Sequence, residues 1–304
     1  MGLSPPAHRT VDIMPPSGQS RVEATLGAPF ERSGYGLHTG RRSTVRVSPA
    51  SAGHGIMFRR HLPGGRCVDI PALWRFQVPQ PACSALGREG VLVRTVEHLM
   101  ASLRALGIDN ALVEIDGEEL PIFDGSALPW CEGIAAAGRI AQDRPVQVLV
   151  VRREVTVTDR HRRLSIGPGR GLTMSAHIEL KHLGPFDWQG PVGPENFARD
   201  IAPSRSFGRF LRVMAGRCYG FVARKPLLQG CGPHSAALLI RRHVIGGLRM
   251  PDELVRHRVL DVTGDLALIG HPIEAHVTAN HACHALNHTL VAALMEDRSA
   301  WELV

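Results

Sequence analysis

Two separated stretches of this 304-residue chain carry residue types that could share one metal ion. In Arg256-His257-Arg258-Val259-Leu260-Asp261-Val262-Thr263-Gly264-Asp265, an imidazole and a carboxylate stand four residues apart. On a helix that spacing puts both on one face. Pro251 and Asp252 are expected to open such a helix, and Val255, Val259, Val262 and Leu266 form an apolar stripe along it. His257, Arg258, Asp261 and Asp265 fall off that stripe within an arc of about 100°. Two readings stay open at this point: a ligand face, or the solvated side of an amphipathic helix. Far upstream, Glu97 precedes His98 in Val93-Arg94-Thr95-Val96-Glu97-His98-Leu99-Met100. Thr95 can cap a helix ending near Gly107, which places both residues in the first turn, where the helix dipole favours an acid. An acid next to an imidazole suggests a base beside a ligand. The chain has no HExxH, and the inverted motif would need His where Arg94 stands, so a simple zinc peptidase is disfavoured.

The elements that must position these residues are mostly short. Residues 111–116 alternate in polarity and close on Asp116-Gly117, which predicts a strand and a turn. A helix is predicted over 128–137, with Ser126 as cap, Pro129 in its first turn and Gly138 past its end. Residues 142–145 read as a connection, followed by strands over 146–157 and 172–180 and an irregular Pro/Gly-rich stretch over 184–203. Strands and helices in each half argue for an α+β architecture, and no internal repeat is visible. At 44% hydrophobic residues the chain is long enough for two cores. Its apolar runs are too short to span a bilayer, and residues 1–20 read as a flexible tail rather than a signal peptide. Six cysteines without a CxxC pair are expected to be reduced and mostly buried. The formal charge of +7 is not accompanied by a stacking motif, and aromatics are only 5%. No nucleic-acid partner is expected; an anionic substrate and an anionic inner leaflet explain a basic surface equally well.

Six blocks in register carry a resemblance. They are Ser33-Gly34-Tyr35-Gly36-Leu37-His38-Thr39-Gly40, Arg94 to Met100, Gly107-Ile108-Asp109-Asn110-Ala111, Pro121-Ile122-Phe123-Asp124-Gly125-Ser126-Ala127, Val255 to Asp261, and Gly264-Asp265-Leu266 followed by His284-Ala285-Leu286-Asn287. In this order, over residues 20–292, the chain resembles the UDP-3-O-acyl-N-acetylglucosamine deacetylases of lipid A biosynthesis. The resemblance implies two similar two-layer α+β domains with helices packed between the two sheets and the active site at their interface. The expected division is a tail over 1–20, a first domain over 21–143 and a second over 144–304 that carries an insert for the acyl passage. It also implies a cytoplasmic Zn²⁺-dependent amidohydrolase, expected to be a monomer, in a bacterium with an outer membrane. Its substrate is UDP-3-O-acyl-N-acetylglucosamine, and a transient contact with the inner-membrane surface is the further partner expected.

By the same resemblance His98, His257 and Asp261 are the zinc ligands, a set of N and O type that leaves a fourth tetrahedral position open. Glu97 takes the general-base role and His284 the general-acid role, with Asp265 holding the His284 imidazole in its cationic form. Two positions depart from the family pattern. Ser206 stands where a Thr is usual, keeping a hydroxyl that could stabilise an oxyanion; Arg258 stands where a Lys is usual. Phe207 is the expected substrate contact. The passage would draw on Leu211, Val213, Met214, Tyr219, Phe221 and Val222. The blocks Ser33 to Gly40 and Asp124-Gly125-Ser126 are read more economically as turns.

Overall fold

Ile273, Ala275, Val277 and Ala279 alternate with polar residues, and burying that side makes Ile273–Asn280 the central strand of the second half. It runs antiparallel to Arg162–Gly167 and parallel to Leu172–Leu180. Each of these is half of a hairpin, completed by Val155–Asp159 and Gly184–Pro191 respectively. In the first half Ala111–Ile115 occupies the same place. It is antiparallel to Arg42–Pro49 and parallel to Ile56–His61, whose hairpin partners are Phe30–Tyr35 and Cys67–Pro71. Helices follow the same plan: α1 (Glu97–Ala105) and α2 (Leu128–Ala137) flank the returning strand in the first half. After α3 (Phe210–Val222), α4 (Glu253–Ala267) and α5 (His284–Glu296) flank it in the second. The fold is α+β with two similar halves, a repeat that only the strand order reveals.

The structure, a computed structural model, describes residues 21–304; the tail expected over 1–20 lies outside the described residues. The strand over 172–180 and the helix over 128–137 fall where the sequence places them. Four local expectations are corrected. Residues 142–145 are not a connection but the end of strand Arg139–Pro145, which pairs with Val22–Leu26. The strand expected over 146–157 is broken at Arg152-Arg153, whose amides both turn to the carbonyl of Ala300, giving Leu149–Val151 and Val155–Asp159. The stretch 184–203 is half strand, because alternation in Gly184–Pro191 matches its partner across the hairpin. Thr95 does not cap α1: Val96 is the N-cap, and the Thr95 hydroxyl donates to Glu119 Oε1 at 2.9 Å with the residue in a left-handed backbone (φ +58°). All six thiols are free, but only Cys83, Cys131 and Cys231 are buried.

The two halves meet where α1 crosses α4. Ala101 and Ala105 of α1 join the core of the second half, while Ala267 at the end of α4 joins that of the first. The closest approach is at Gly264, where an added Cβ would stand 2.1 Å from the carbonyl oxygen of Glu97. Backbone cannot yield there as a flexible side chain would. A second tie fixes α4 to the loop that precedes α3: Arg205 donates to both oxygens of buried Glu253, at 2.7 and 3.0 Å.

Two outcomes test these joints. Gly264→Ala gains about 1 kcal/mol of helix propensity, but the backbone clash outweighs it. The variant is expected to unfold at lower urea concentration and to bind divalent metal more weakly, since the two helices must part. For Glu253, burial pushes the carboxyl pKa up, yet the bonds from the Arg205 side chain and the Arg249 and Arg205 amides outweigh it and leave a net lowering. A carboxyl lowered in the fold stabilises above its unfolded pKa of about 4.3 and loses that contribution as pH falls through the folded value. Glu253→Gln should therefore cost about 3–5 kcal/mol at pH 7, as breaking a buried pair does. The gap between the urea curves of parent and variant should close as the pH is lowered below about 4.

Candidate active site

At the first turn of α1, Glu97 and His98 are buried, and so are His257, Asp261 and Asp265 along α4. The polar arc of α4 is therefore not a solvated face; it is turned toward α1. His98 and His257 meet edge to face with centroids 5.2 Å apart. One ligand atom from each of His98, His257 and Asp261 lies within 4.8 Å of the other two. His257 presents Nε2 toward Asp261 Oδ1 at 3.3 Å, while its Nδ1 faces the Ser204 carbonyl at 3.1 Å. A carbonyl can only accept, so the proton belongs on Nδ1 and the Nε2 lone pair is free for a metal.

The electrostatics suit a cation. Burial drives His98 down to about 3 and lowers His257, keeping both imidazoles neutral at pH 7. Burial pushes Asp261 up, but His257, His284 and Arg258 outweigh it and hold the carboxyl at about 2. Two neutral nitrogens and one carboxylate oxygen, buried and convergent, make a donor set that fits a divalent ion of zinc type.

Beside this triad stands a proton-carrying pair. His284 begins α5 and points Nε2 at Glu97 Oε1, 3.6 Å away, and at Asp261 Oδ1, 3.9 Å away. Its Nδ1 donates to Asp265 Oδ2 at 2.9 Å. Burial disfavours the imidazolium, but Asp265 and Asp261 overcome that and raise His284 to about 10. Glu97 is pushed up to about 8, chiefly by burial, with His284 opposing. Its carboxylate accepts the Ser84 amide at 3.1 Å.

Three further residues of this network were not anticipated as site residues. The Ser84 hydroxyl reaches Asp265 and lies 2.8 Å from His288 Nε2. His288 sits one turn after His284 with their rings stacked, and Asn287 donates to Asp265 Oδ2 at 2.8 Å. The spacing of His284 and His288 was a legible signal. Ser84 gave none, being 181 residues from Asp265 in the chain.

The remaining expected residues border the triad. The Ser206 hydroxyl lies 3.2 Å from His257 Nε2. Phe207 stands edge-on to His257, and Arg258 stacks on Phe207 at 4.6 Å while donating to Asp261 Oδ2 at 2.9 Å. Arg258 is thus engaged with the Asp261 carboxylate and the Phe207 ring. A cavity of about 890 Å³ opens above these groups, walled on one side by Leu37, Ile122, Val213, Leu228 and Ala236. Of the six residues expected to form an apolar passage, only Val213 lines it. Leu211, Tyr219, Phe221 and Val222 face solvent, because the inner side of α3 is carried by Val213 and Gly220. The block Ser33 to Gly40 ends the strand Phe30–Tyr35 and then forms a turn over residues 36–40 closed on the buried Glu119 carboxylate, which accepts the His38 and Thr39 amides at 2.8 and 2.7 Å.

The chain matches the family model of the UDP-3-O-acyl N-acetylglycosamine deacetylases over residues 23–296. Among similar curated proteins is the UDP-3-O-acyl-N-acetylglucosamine deacetylase of Myxococcus xanthus (strain DK1622), 41% identical over 93% of this chain and 89% of that protein. Proteins of the same name from Syntrophotalea carbinolica (36% identical, 93% of this chain, 90% of that protein) and Solibacter usitatus (37%, 93% and 95%) are similar over the same span.

The donor set leads to a binding test. Equilibrium dialysis against Zn²⁺ should give one ion per chain, and Asp261→Ala should weaken uptake by at least about a hundredfold, more than outer partners usually contribute. His288→Ala should leave uptake unchanged. Loss in His288→Ala with retention in Asp261→Ala would move the ion to the neighbouring group formed by Asp265, His284 and His288.

Proposed function

This chain belongs to the UDP-3-O-acyl N-acetylglycosamine deacetylase family, and on that premise we propose that it hydrolyses the N-acetyl amide of UDP-3-O-acyl-N-acetylglucosamine. The reaction adds water to the amide carbon, breaks the C–N bond, and releases acetate and a free amine. On this reading the enzyme acts in lipid A biosynthesis, in the cytoplasm of a bacterium with an outer membrane. No helix among the described residues is long and apolar enough to cross a membrane.

One observation carries the reading above others. A buried carboxyl and a buried imidazole, Glu97 and His284, stand 3.6 Å apart beside the His98, His257 and Asp261 donors at the floor of one cavity. Amide hydrolysis needs a proton taken from the attacking water and another given to the leaving nitrogen. Zn²⁺ held by His98, His257 and Asp261 would polarise the amide carbonyl, and its charge would bring the adjacent Glu97 carboxyl down into the range of a general base. Glu97 takes up the water proton, and its accepted bond from the Ser84 amide keeps one oxygen fixed while the other faces the cavity. His284 donates from Nε2 to the departing nitrogen. Asp265 holds the opposite edge of that ring and favours its protonated form, and Asp265 is itself held by Ser84 and Asn287. The Ser206 hydroxyl lies beside His257, and on this reading it donates to a developing oxyanion. Phe207 lines the cavity at its apolar side and serves as a substrate contact. Arg258 steadies Asp261 and Phe207 rather than reaching the reacting atoms.

Acetate release from UDP-3-O-acyl-N-acetylglucosamine is the direct assay. Activity should vanish after chelation and return with about one equivalent of Zn²⁺. Glu97→Ala and His284→Ala should each lose about 10²–10⁴ in kcat while retaining zinc, and the double variant should fall short of the product of the two. Full activity of the metal-depleted protein, or near-parental turnover of Glu97→Ala, would overturn the assignment.

A further inference from the structure

The net positive charge of this molecule comes from one segment. Residues 201–250 contain nine Lys and Arg and no Asp or Glu, against a formal net charge of +7 for the whole chain. Elsewhere acids outnumber bases. Four of the nine are engaged locally: Arg205 with Glu253, Arg249 with Asp124, and Arg209 and Arg217 with backbone carbonyls. Arg212, Arg224, Lys225, Arg241 and Arg242 are exposed and form no ion pair among the described residues.

The same segment exposes apolar side chains in a pattern. On α3, Leu211, Ala215, Cys218 and Val222 recur at i, i+4, i+7 and i+11, the stripe by which a helix normally faces a core. Here all four are exposed, and Tyr219 and Phe221 flank them. Leu211, Phe221 and Val222 are 79, 80 and 82% exposed, so no other part of the described fold covers them. The opposite face is already buried, Val213 against Ile122, Ala236 and Leu238 and Gly220 against the loop at Lys225, Leu227 and Gln229. A short sheet, Phe207–Arg209 with Ala237–Ile240, runs beside the start of the helix. That sheet is parallel, with Arg209 opposite Leu239. The hairpin tip at Ile240, Arg241 and Arg242 therefore lies beside the start of α3, while Arg224 and Lys225 follow its end. Free cations bracket the apolar stripe at both ends.

We propose that this unit, residues 207–244, docks on an anionic lipid bilayer. The apolar stripe of α3 enters the headgroup boundary, and the five free cations sit on anionic headgroups. A second copy of the chain is a poor occupant, since a two-fold contact would set these cations against themselves. Nucleic acid would satisfy the cations but leave the aliphatic stripe facing phosphate. Arg212 and Val213, on the same helix, line the cavity, so docking would bring the cavity mouth to the membrane surface. That consequence for an acylated substrate rests on the proposed deacetylase reading; the docking itself does not.

The test uses the full chain and vesicles without substrate, so it is independent of the deacetylase assay. Sedimentation with phosphatidylcholine vesicles should show no binding, and vesicles mixed with phosphatidylglycerol should bind the protein and release it at high salt. Two variants with parental circular dichroism probe the two contributions: Leu211→Ser/Phe221→Ser/Val222→Ser and Arg224→Glu/Lys225→Glu. Each should lower the partition coefficient at least about tenfold. Absence of binding to mixed vesicles, or parental binding by both variants, overturns the proposal. So does retention of duplex DNA in place of vesicles, or a dimer that the triple serine variant dissolves.

Discussion

The crossing of α1 over α4 at Gly264 is the constraint on which the site depends. Glu97 and His98 come from one helix and His257, Asp261 and Asp265 from the other, so bringing these side chains together requires the two backbones to approach more closely than side chains allow. Only a residue without Cβ permits this: the missing atom would stand 2.1 Å from the Glu97 carbonyl. Glu97, His98 and the glycine that brings them to α4 are thus coupled within one contact. Alanines at 101 and 105 continue the close packing along α1.

A close crossing brings buried charge with it. Glu97, Asp261 and Asp265 all lie away from water, and three carboxyls in low dielectric are tolerated only with compensation. His284 supplies part of it, bonded to Asp265 and facing the other two. Ser84, Asn287 and the Ser84 amide supply hydrogen bonds, and Arg258 covers the outer oxygen of Asp261. His98 and His257 remain neutral under the same burial that raises Glu97. Burial therefore shifts acids and bases in opposite directions while favouring the uncharged form of both, and it is the neutral imidazoles that leave the site receptive to a cation.

The halves share a plan but differ in one insertion point, between the second hairpin and the first helix. In the first half that segment forms the hairpin of Ala85–Arg88 and Val91–Arg94, and places Ser84 and Thr95 against the acids. In the second half it is longer, contains α3, and delivers Ser206 and Phe207 to His257. Equivalent positions in a duplicated scaffold thus feed the same cleft from two sides, and the longer insert also carries the free cations.

Much of this was legible in the chain before folding. The helix over 128–137 and the strand over 172–180 follow from Pro and Gly placement and from period-two alternation. The i, i+4 spacing of His257 and Asp261 showed that they share a helix face, and the resemblance named Glu97, His98, Asp265 and His284 as their companions. What the spacing left open was whether that face was wet or buried, since the 3.6 periodicity of polar residues is the same in both cases. Tertiary packing decided it, by laying α1 across α4. Packing also decided that residues 142–145 pair as a strand, that Val213 turns inward while Leu211 and Phe221 turn out, and that Ser84 reaches Asp265. A strand's partner, a helix's outer neighbour and a contact 181 residues apart depend on distances that no local pattern encodes. The sequence by itself determined which chemistry the chain could perform and on which elements; only the tertiary structure decided which of those groups lose water and meet, because burial is a property of the whole packed chain.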